Sequence, residues 1–224
     1  MRADLPAHWR SVTWALAAWT AMLAYSLQIY FDFSGYSDMA VGLGRLFGIP
    51  LPVNFLSPYK ARSITEFWRR WHITLSRFLR DYLYIPLGGN RHGRVRTYVN
   101  LLLVMLIGGL WHGANWTFVA WGGVHGALLA LERLWPRRLP ALERLWPQRP
   151  RWPRPLSIAL TFLLVTLAWV LFRAPTLEGA LRFYSALGSG AGGLPAAWQL
   201  AWTWIALAAL LAFLAPNTTQ LFRH

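Results

Sequence analysis

Apolar residues run along this chain in long blocks, separated by short stretches where arginine, glycine and proline collect. Ser11 to Phe31 carries no formal charge and is long enough to cross a hydrocarbon core of ~30 Å. It is too long for a signal-peptide core and no small-residue cleavage motif follows, so it reads as a retained span. The stretch that follows, as far as Lys60, stays apolar but holds Asp32, Asp38, Arg45, four glycines and three prolines. Irregular backbone at membrane depth survives only when surrounded by protein or lining a cavity. The pattern therefore predicts a short helix near 34–47, then an extended turn through Pro50, Pro52 and Pro58.

Ser63 to Leu83 carries the clearest helical period. Ser63 and Glu66 form an S-x-x-E capping box. Ile64, Phe67, Trp68, Trp71, Leu75, Phe78, Leu79, Tyr82 and Leu83 recur at three- and four-residue intervals, with Arg69, Arg70, Arg77 and Arg80 on the other face. Such a helix is expected in the membrane interface, its arginines near lipid phosphates. The turn "PLGGNRHGR" from Pro86 ends it. From Thr97 to Leu131 there is again no Lys, Arg, Asp or Glu. Basic residues crowd both flanks, in Lys60–Arg96 and in Arg133–Arg154. With both flanks cytoplasmic, the segment must enter and return as a hairpin or re-entrant element, turning near Trp111–Ala114. Leu156–Phe172 and Leu194–Ala215 read as two further spans joined by a Gly-rich loop. "LERLWP" at 131–136 recurs at 142–147, a single duplication in a tolerant cytoplasmic loop and not a repeat fold. The expected architecture is one all-α, polytopic integral membrane domain over residues 1–224.

Composition agrees: 56% of the 224 residues are hydrophobic and only 13% charged, about half the ~25% usual in soluble domains. The net charge of +14 is carried by 22 basic side chains, of which Lys60 is the single lysine. Their clustering between apolar blocks fits a positive-inside signal, so a lipid bilayer and not nucleic acid is the expected partner. The chain has no cysteine, which excludes disulfides, thiolate metal sites and a cysteine nucleophile.

Six histidines are present, and His8, His92 and His224 fall near the termini or in a basic turn. His72, His112 and His125 lie in apolar settings. His125 in "WGGVHGALLA" and, taken alone, His72 fit hydrogen-bonded core or headgroup residues. His112, in "GGLWHGANW", leaves two readings open. One is a satisfied core histidine. The other is a general base, because an ionisable residue within a membrane segment commonly faces a protein interior or water pathway. Gly109 and Gly113 would let a substrate approach the backbone, and Asn115 would orient the ring or donate a hydrogen bond. Asp32 and Asp38 are expected to pair with arginines such as Arg45, and Asp81 with Arg77 or a distant arginine. A metal site built on His72 and His112 has no supporting carboxylate spacing.

"YFDFSGYSDMAVGLGRLFGI", "PYKARSITEFWRRWHITLSRFLRDYLYIPLGGNR" and "GGLWHGANWTFVAWGGVHG" resemble the C-terminal half of the membrane-bound O-acyltransferase (MBOAT) family, nearest its alginate O-acetylation branch. The resemblance covers about 25–135. It implies an MBOAT-like helical bundle with catalytic histidines at His112 and, in "RRWH", at His72. Trp111, Asn115, Arg80 and Asp81 are then supporting or substrate-binding residues. It also implies a cytoplasmic acyl donor, acetyl-CoA or an acyl carrier protein, with no bound cofactor. The acyl group would pass to extracytoplasmic O-acetylation proteins that modify a surface polymer, at the inner membrane of a bacterium. A histidine near mid-bilayer would be reachable from both sides. Family members are roughly twice this length, so an N-terminal half supplied elsewhere belongs among the expected partners. Two other classes compete. A proton-relaying transporter subunit would need further ionisable residues along successive spans, and Leu156–Phe172 and Leu194–Ala215 contain none. A non-catalytic scaffold of an envelope complex is favoured by short length alone.

Overall fold

The first apolar block does not stop where its charge pattern changes. In a computed structural model describing residues 7–134, 153–189 and 199–221, α1 runs unbroken from Ala7 to Leu46. The expected break before residue 34 is absent because no proline intervenes before Pro50 and the helix's carbonyls keep their partners. At 1.5 Å per residue its 40 residues span ~60 Å, twice a bilayer core. Ala15, Ala18, Met22, Ser26 and Tyr30 form its buried stripe. Among the described residues, Asp38 makes no ion pair with an arginine. It accepts a hydrogen bond from Thr218 Oγ1 at 3.0 Å.

The second departure is the predicted 63–83 helix, which is broken. After a 3₁₀ turn at Pro58–Lys60, α2 covers Ile64–Arg70 and α3 covers Ile73–Leu79, followed by a wide turn over Arg80–Tyr84. The capping box is formed: Ser63 Oγ accepts the Glu66 N–H at 3.1 Å, while Glu66 Oε2 accepts the Arg62 N–H at 2.8 Å. The break at Trp71–His72 strands backbone groups that an intact helix would pair. The irregular segment before Ser57 meets them. Leu56 N–H donates to Arg70 O, and Asn54 O accepts from Ile73 N–H, both at 3.0 Å. The break also changes which side chains are buried. Phe67 and Trp71 reach the core, whereas Phe78 and Tyr82, expected on the same apolar face, are exposed.

The third block folds as a helical hairpin, α4 over Gly93–Trp111 and α5 over Trp116–Leu134, joined by a turn of four residues. A glycine seam lets the two backbones touch. A Cβ on Gly109 would meet Phe118 O at 2.2 Å, and one on Gly122 would meet Met105 O at 2.1 Å. Close backbone approach through small residues is how helices pack where no hydrophobic effect drives them together. The far ends of the hairpin are tied to the 62–84 region: Thr65 N–H donates to Glu132 at 2.9 Å, and Arg133 donates to Tyr84 Oη at 3.2 Å. These two bonds hold the start of α2 and the wide turn after α3 against the C-terminal end of α5.

Then come α6 (Arg154–Arg173), α7 (Leu177–Leu187), α8 (Gln199–Leu214) and α9 (Thr218–Leu221). The pattern read 177–187 only as part of a connecting loop. It is a helix, N-capped by Thr176, whose Oγ1 accepts the Gly179 N–H at 3.0 Å. Most of the duplicated loop, and the start of the predicted Leu194–Ala215 span, lie outside the described residues. Among the described residues there is no strand. The helices α4 and α6 are long and apolar enough to cross a membrane, and Leu200–Leu214 is a shorter apolar helix. The main core gathers Met22, Tyr30, Phe67, Trp71, Trp121, Val165 and Trp169 from α1, α2, α5 and α6 and from the Trp71–His72 break.

Candidate active site

The break between α2 and α3 leaves His72 with φ +43°, the left-handed region that a β-carbon disfavours. A non-glycine residue held there costs on the order of 1–3 kcal/mol and tends to mark a functional position. The ring turns toward the end of α4, where His112 caps the helix. The two histidines, forty positions apart, line one cavity of about 40 Å³ together with Phe33, Trp71, Trp121, Trp169 and Phe172. The aromatic walls are close. Phe33 lies 4.8 Å from the His72 ring, and Phe172 and Trp121 lie 4.9 and 5.3 Å from His112. Trp111 bridges the pair, its ring 6.4 Å from His72 and 5.0 Å from His112. Such a space admits a water or the reacting end of a small acyl group, and its apolar walls strengthen any electrostatic interaction inside.

His72 is held by a residue that the periodicity did not single out. Its Nδ1 lies 3.2 Å from Asn54 Oδ1, which also receives the Thr74 N–H at 3.2 Å and the Thr74 hydroxyl at 3.0 Å. The available signal was a lone asparagine between Pro52 and Pro58 in an otherwise apolar segment.

The remaining predicted site residues divide. Trp111 touches both histidine rings but does not line the cavity and is 61% exposed. Asn115 does not orient His112: its Oδ1 accepts the Thr117 N–H as the cap of α5, and its Nδ2 donates to Pro175 O, both at 3.0 Å. Arg80 and Asp81 do not line the cavity. They pair with each other at 2.7 Å on the exposed turn after α3, where Arg80 and not Arg77 is the closest cation. Gly109 is spent on helix packing, and a Cβ on Gly113 (φ +156°) would strike the Phe118 ring at 2.9 Å. His125 is fully buried, accepting from Trp68 Nε1 at 3.3 Å, as the core reading expects. Among the described residues, no three His, Asp or Glu side chains gather as a metal-binding set.

The sequence model for MBOAT, the membrane-bound O-acyltransferase family, matches residues 7–173, three quarters of the chain and both histidines. The chain belongs to this family. It is 56% identical over 172 residues to the probable alginate O-acetylase AlgI of Azotobacter vinelandii, covering 77% of this chain and 33% of that protein. It is 54% identical over 167 residues to the peptidoglycan O-acetyltransferase of Helicobacter pylori, covering 75% and 31%. The teichoic acid D-alanyltransferase of Streptococcus thermophilus is 33% identical over 165 residues, covering 67% and 40%. The matched region thus spans only about a third of the length of the first of these relatives.

Proposed function

We propose that this MBOAT chain carries the reacting histidines of an O-acetyltransferase that moves an acetyl group from a cytoplasmic thioester to hydroxyl groups destined for a cell-surface polysaccharide. The observation that carries the reading is the convergence of His72 and His112, from separate elements, on one aromatic-walled cavity. His112 takes the proton of the acceptor hydroxyl. The oxygen forms its bond to the acyl carbon, the C–S bond breaks, and the departing thiolate takes the proton from His112. With no cysteine in the chain, the sulfur belongs to the donor, acetyl-CoA or an acyl carrier. Each hairpin arm is 19 residues, ~28 Å, close to the thickness of a bilayer core. With the basic ends cytoplasmic, an upright hairpin carries His112 toward the opposite face, where extracytoplasmic O-acetylation partners would receive the acyl group.

The test is acetyl transfer from labelled acetyl-CoA in membranes containing the chain, with and without those partners, for the native protein and His112→Ala. Loss of a positioned base should lower transfer by about 10²–10⁴-fold. Equal transfer by both proteins would take His112 out of the chemistry.

A further inference from the structure

We infer that Asn54 is a positioning residue that fixes His72 as its Nδ1–H tautomer, so that the nitrogen His72 offers the cavity accepts a hydrogen bond and does not donate one. The inference rests on the reading above and decides between two jobs for His72, polarising the acyl carbonyl or holding a hydroxyl hydrogen.

The two ends of the Asn54 amide differ chemically. Thr74 N–H can only donate, and it points at Asn54 from 3.2 Å, so the atom it meets is the carbonyl Oδ1. The Nδ2 end is then left for Ser37 Oγ, 3.4 Å away, which accepts. The same Oδ1 lies 3.2 Å from His72 Nδ1. An unprotonated Nδ1 would set two lone pairs against each other at that distance. A protonated one donates to Asn54, and the Thr74 oxygen at 3.4 Å serves as a second, weaker acceptor. The neutral ring carries one proton, so Nε2 keeps its lone pair. Nε2 is the nitrogen without a partner among the described residues, on a ring that lines the cavity shared with His112. The partner of one ring nitrogen dictates the chemistry of the other.

A purely structural account of Asn54 also exists, because its Oδ1 and main-chain oxygen together satisfy the stranded N–H groups at the start of α3. The experiment separates the two. Chain labelled with ¹⁵N-histidine in lipid nanodiscs, with the His72 signals assigned by difference from His72→Gln, reads the tautomer directly and requires no activity. Native His72 should show a protonated Nδ1 and an unprotonated Nε2, and Asn54→Leu should lose that preference. An Nε2–H signal in the native protein, or an unaltered tautomer in Asn54→Leu, overturns the proposal.

Asn54→Asp keeps every acceptor and adds a carboxylate beside Nδ1, which favours the imidazolium by about one pH unit or more. If His72 must accept, the acid limb of the transfer profile moves up by about that much, with about a tenfold loss just below the native limb. An unmoved profile, or faster transfer at that pH, means Asn54 only caps α3 or His72 acts as a donor, and overturns the assignment. Should neither the native chain nor any variant transfer acetyl, the proposed function fails while the nitrogen spectra still decide the tautomer.

Discussion

The glycine seam between α4 and α5 can be probed by a pair of neighbouring substitutions, Gly122→Ala and Gly123→Ala. Both put the same methyl group on the same helix and both gain about 1 kcal/mol of helix propensity. Their surroundings differ. A Cβ on Gly123 meets only Leu106 Cδ2 at 3.5 Å, an ordinary contact. On Gly122 it meets Met105 O at 2.1 Å and Met105 C at 2.9 Å, both backbone atoms. A carbon–oxygen contact rests near ~3.3 Å, so α4 and α5 must part by about 1 Å. Overpacking costs about 1–3 kcal/mol, and a backbone obstacle places this case at the top of that range. The net expectation is about 2 kcal/mol of destabilisation for Gly122→Ala and about 1 kcal/mol of stabilisation for Gly123→Ala. At roughly 2–4 °C per kcal/mol for a chain of this size, the two melting midpoints should separate by about 10 °C in the same detergent. Because His112 caps α4, a 1 Å parting should also lower acetyl transfer by about 10²-fold. Midpoints that coincide would refute the claim that backbone contact holds the hairpin.

Three further outcomes follow from the geometry. Asn100 is fully buried and donates to Leu87 O at 3.1 Å and Gly89 O at 3.0 Å, so Asn100→Ala should cost about 2 kcal/mol in thermal unfolding by stranding both carbonyls. At Glu66, outside the spans, burial pushes the carboxyl up, but the Arg62 N–H and the Arg70 guanidinium outweigh it and hold it below the usual carboxylate range. Its folded value is depressed, so its stabilisation is present above the ordinary carboxylate value of 4.5 and disappears as pH falls through the folded one. A Glu66→Gln chain should lack that part of the acid-side loss in a melting-versus-pH series. Asp81→Asn, which touches only an exposed ion pair away from the cavity, should leave acetyl transfer within about twofold and the melting midpoint essentially unmoved.

Periodicity and charge carried a good deal of this fold. A helix pair was readable because arginine blocks flanked an uncharged segment too long for one upright span, and α4 and α5 do pack as two helices joined by a short turn. The Ser63 cap was readable because capping is local, decided within four residues. What stayed hidden depended on partners distant in sequence. Arg80 and Asp81 sat in the most distinctive motif, yet the wide turn after α3 points them outward. Asn115 looked like a companion for His112, but the first turn of a helix needs its N–H groups met, and that local demand took the amide.

The hardest feature to foresee is also the one on which the site depends. The apolar period continues from Ser63 through Leu83, and by propensity alone the helix should continue too. It stops at Trp71 because another part of the chain can replace the hydrogen bonds it gives up: Asn54 and Leu56 return partners to Ile73, Thr74 and Arg70. Successive residues of an unbroken helix turn by ~100°, so carrying α2 through position 72 would set the His72 ring by helical register. The left-handed φ at His72 resets that register and leaves Trp71 in the core beside a histidine that lines the cavity. The irregular segment at 54–56, a broken helix and a strained histidine are therefore one device. The segment that makes the break tolerable is the same one that, through the Asn54 side chain, sets the ring's proton.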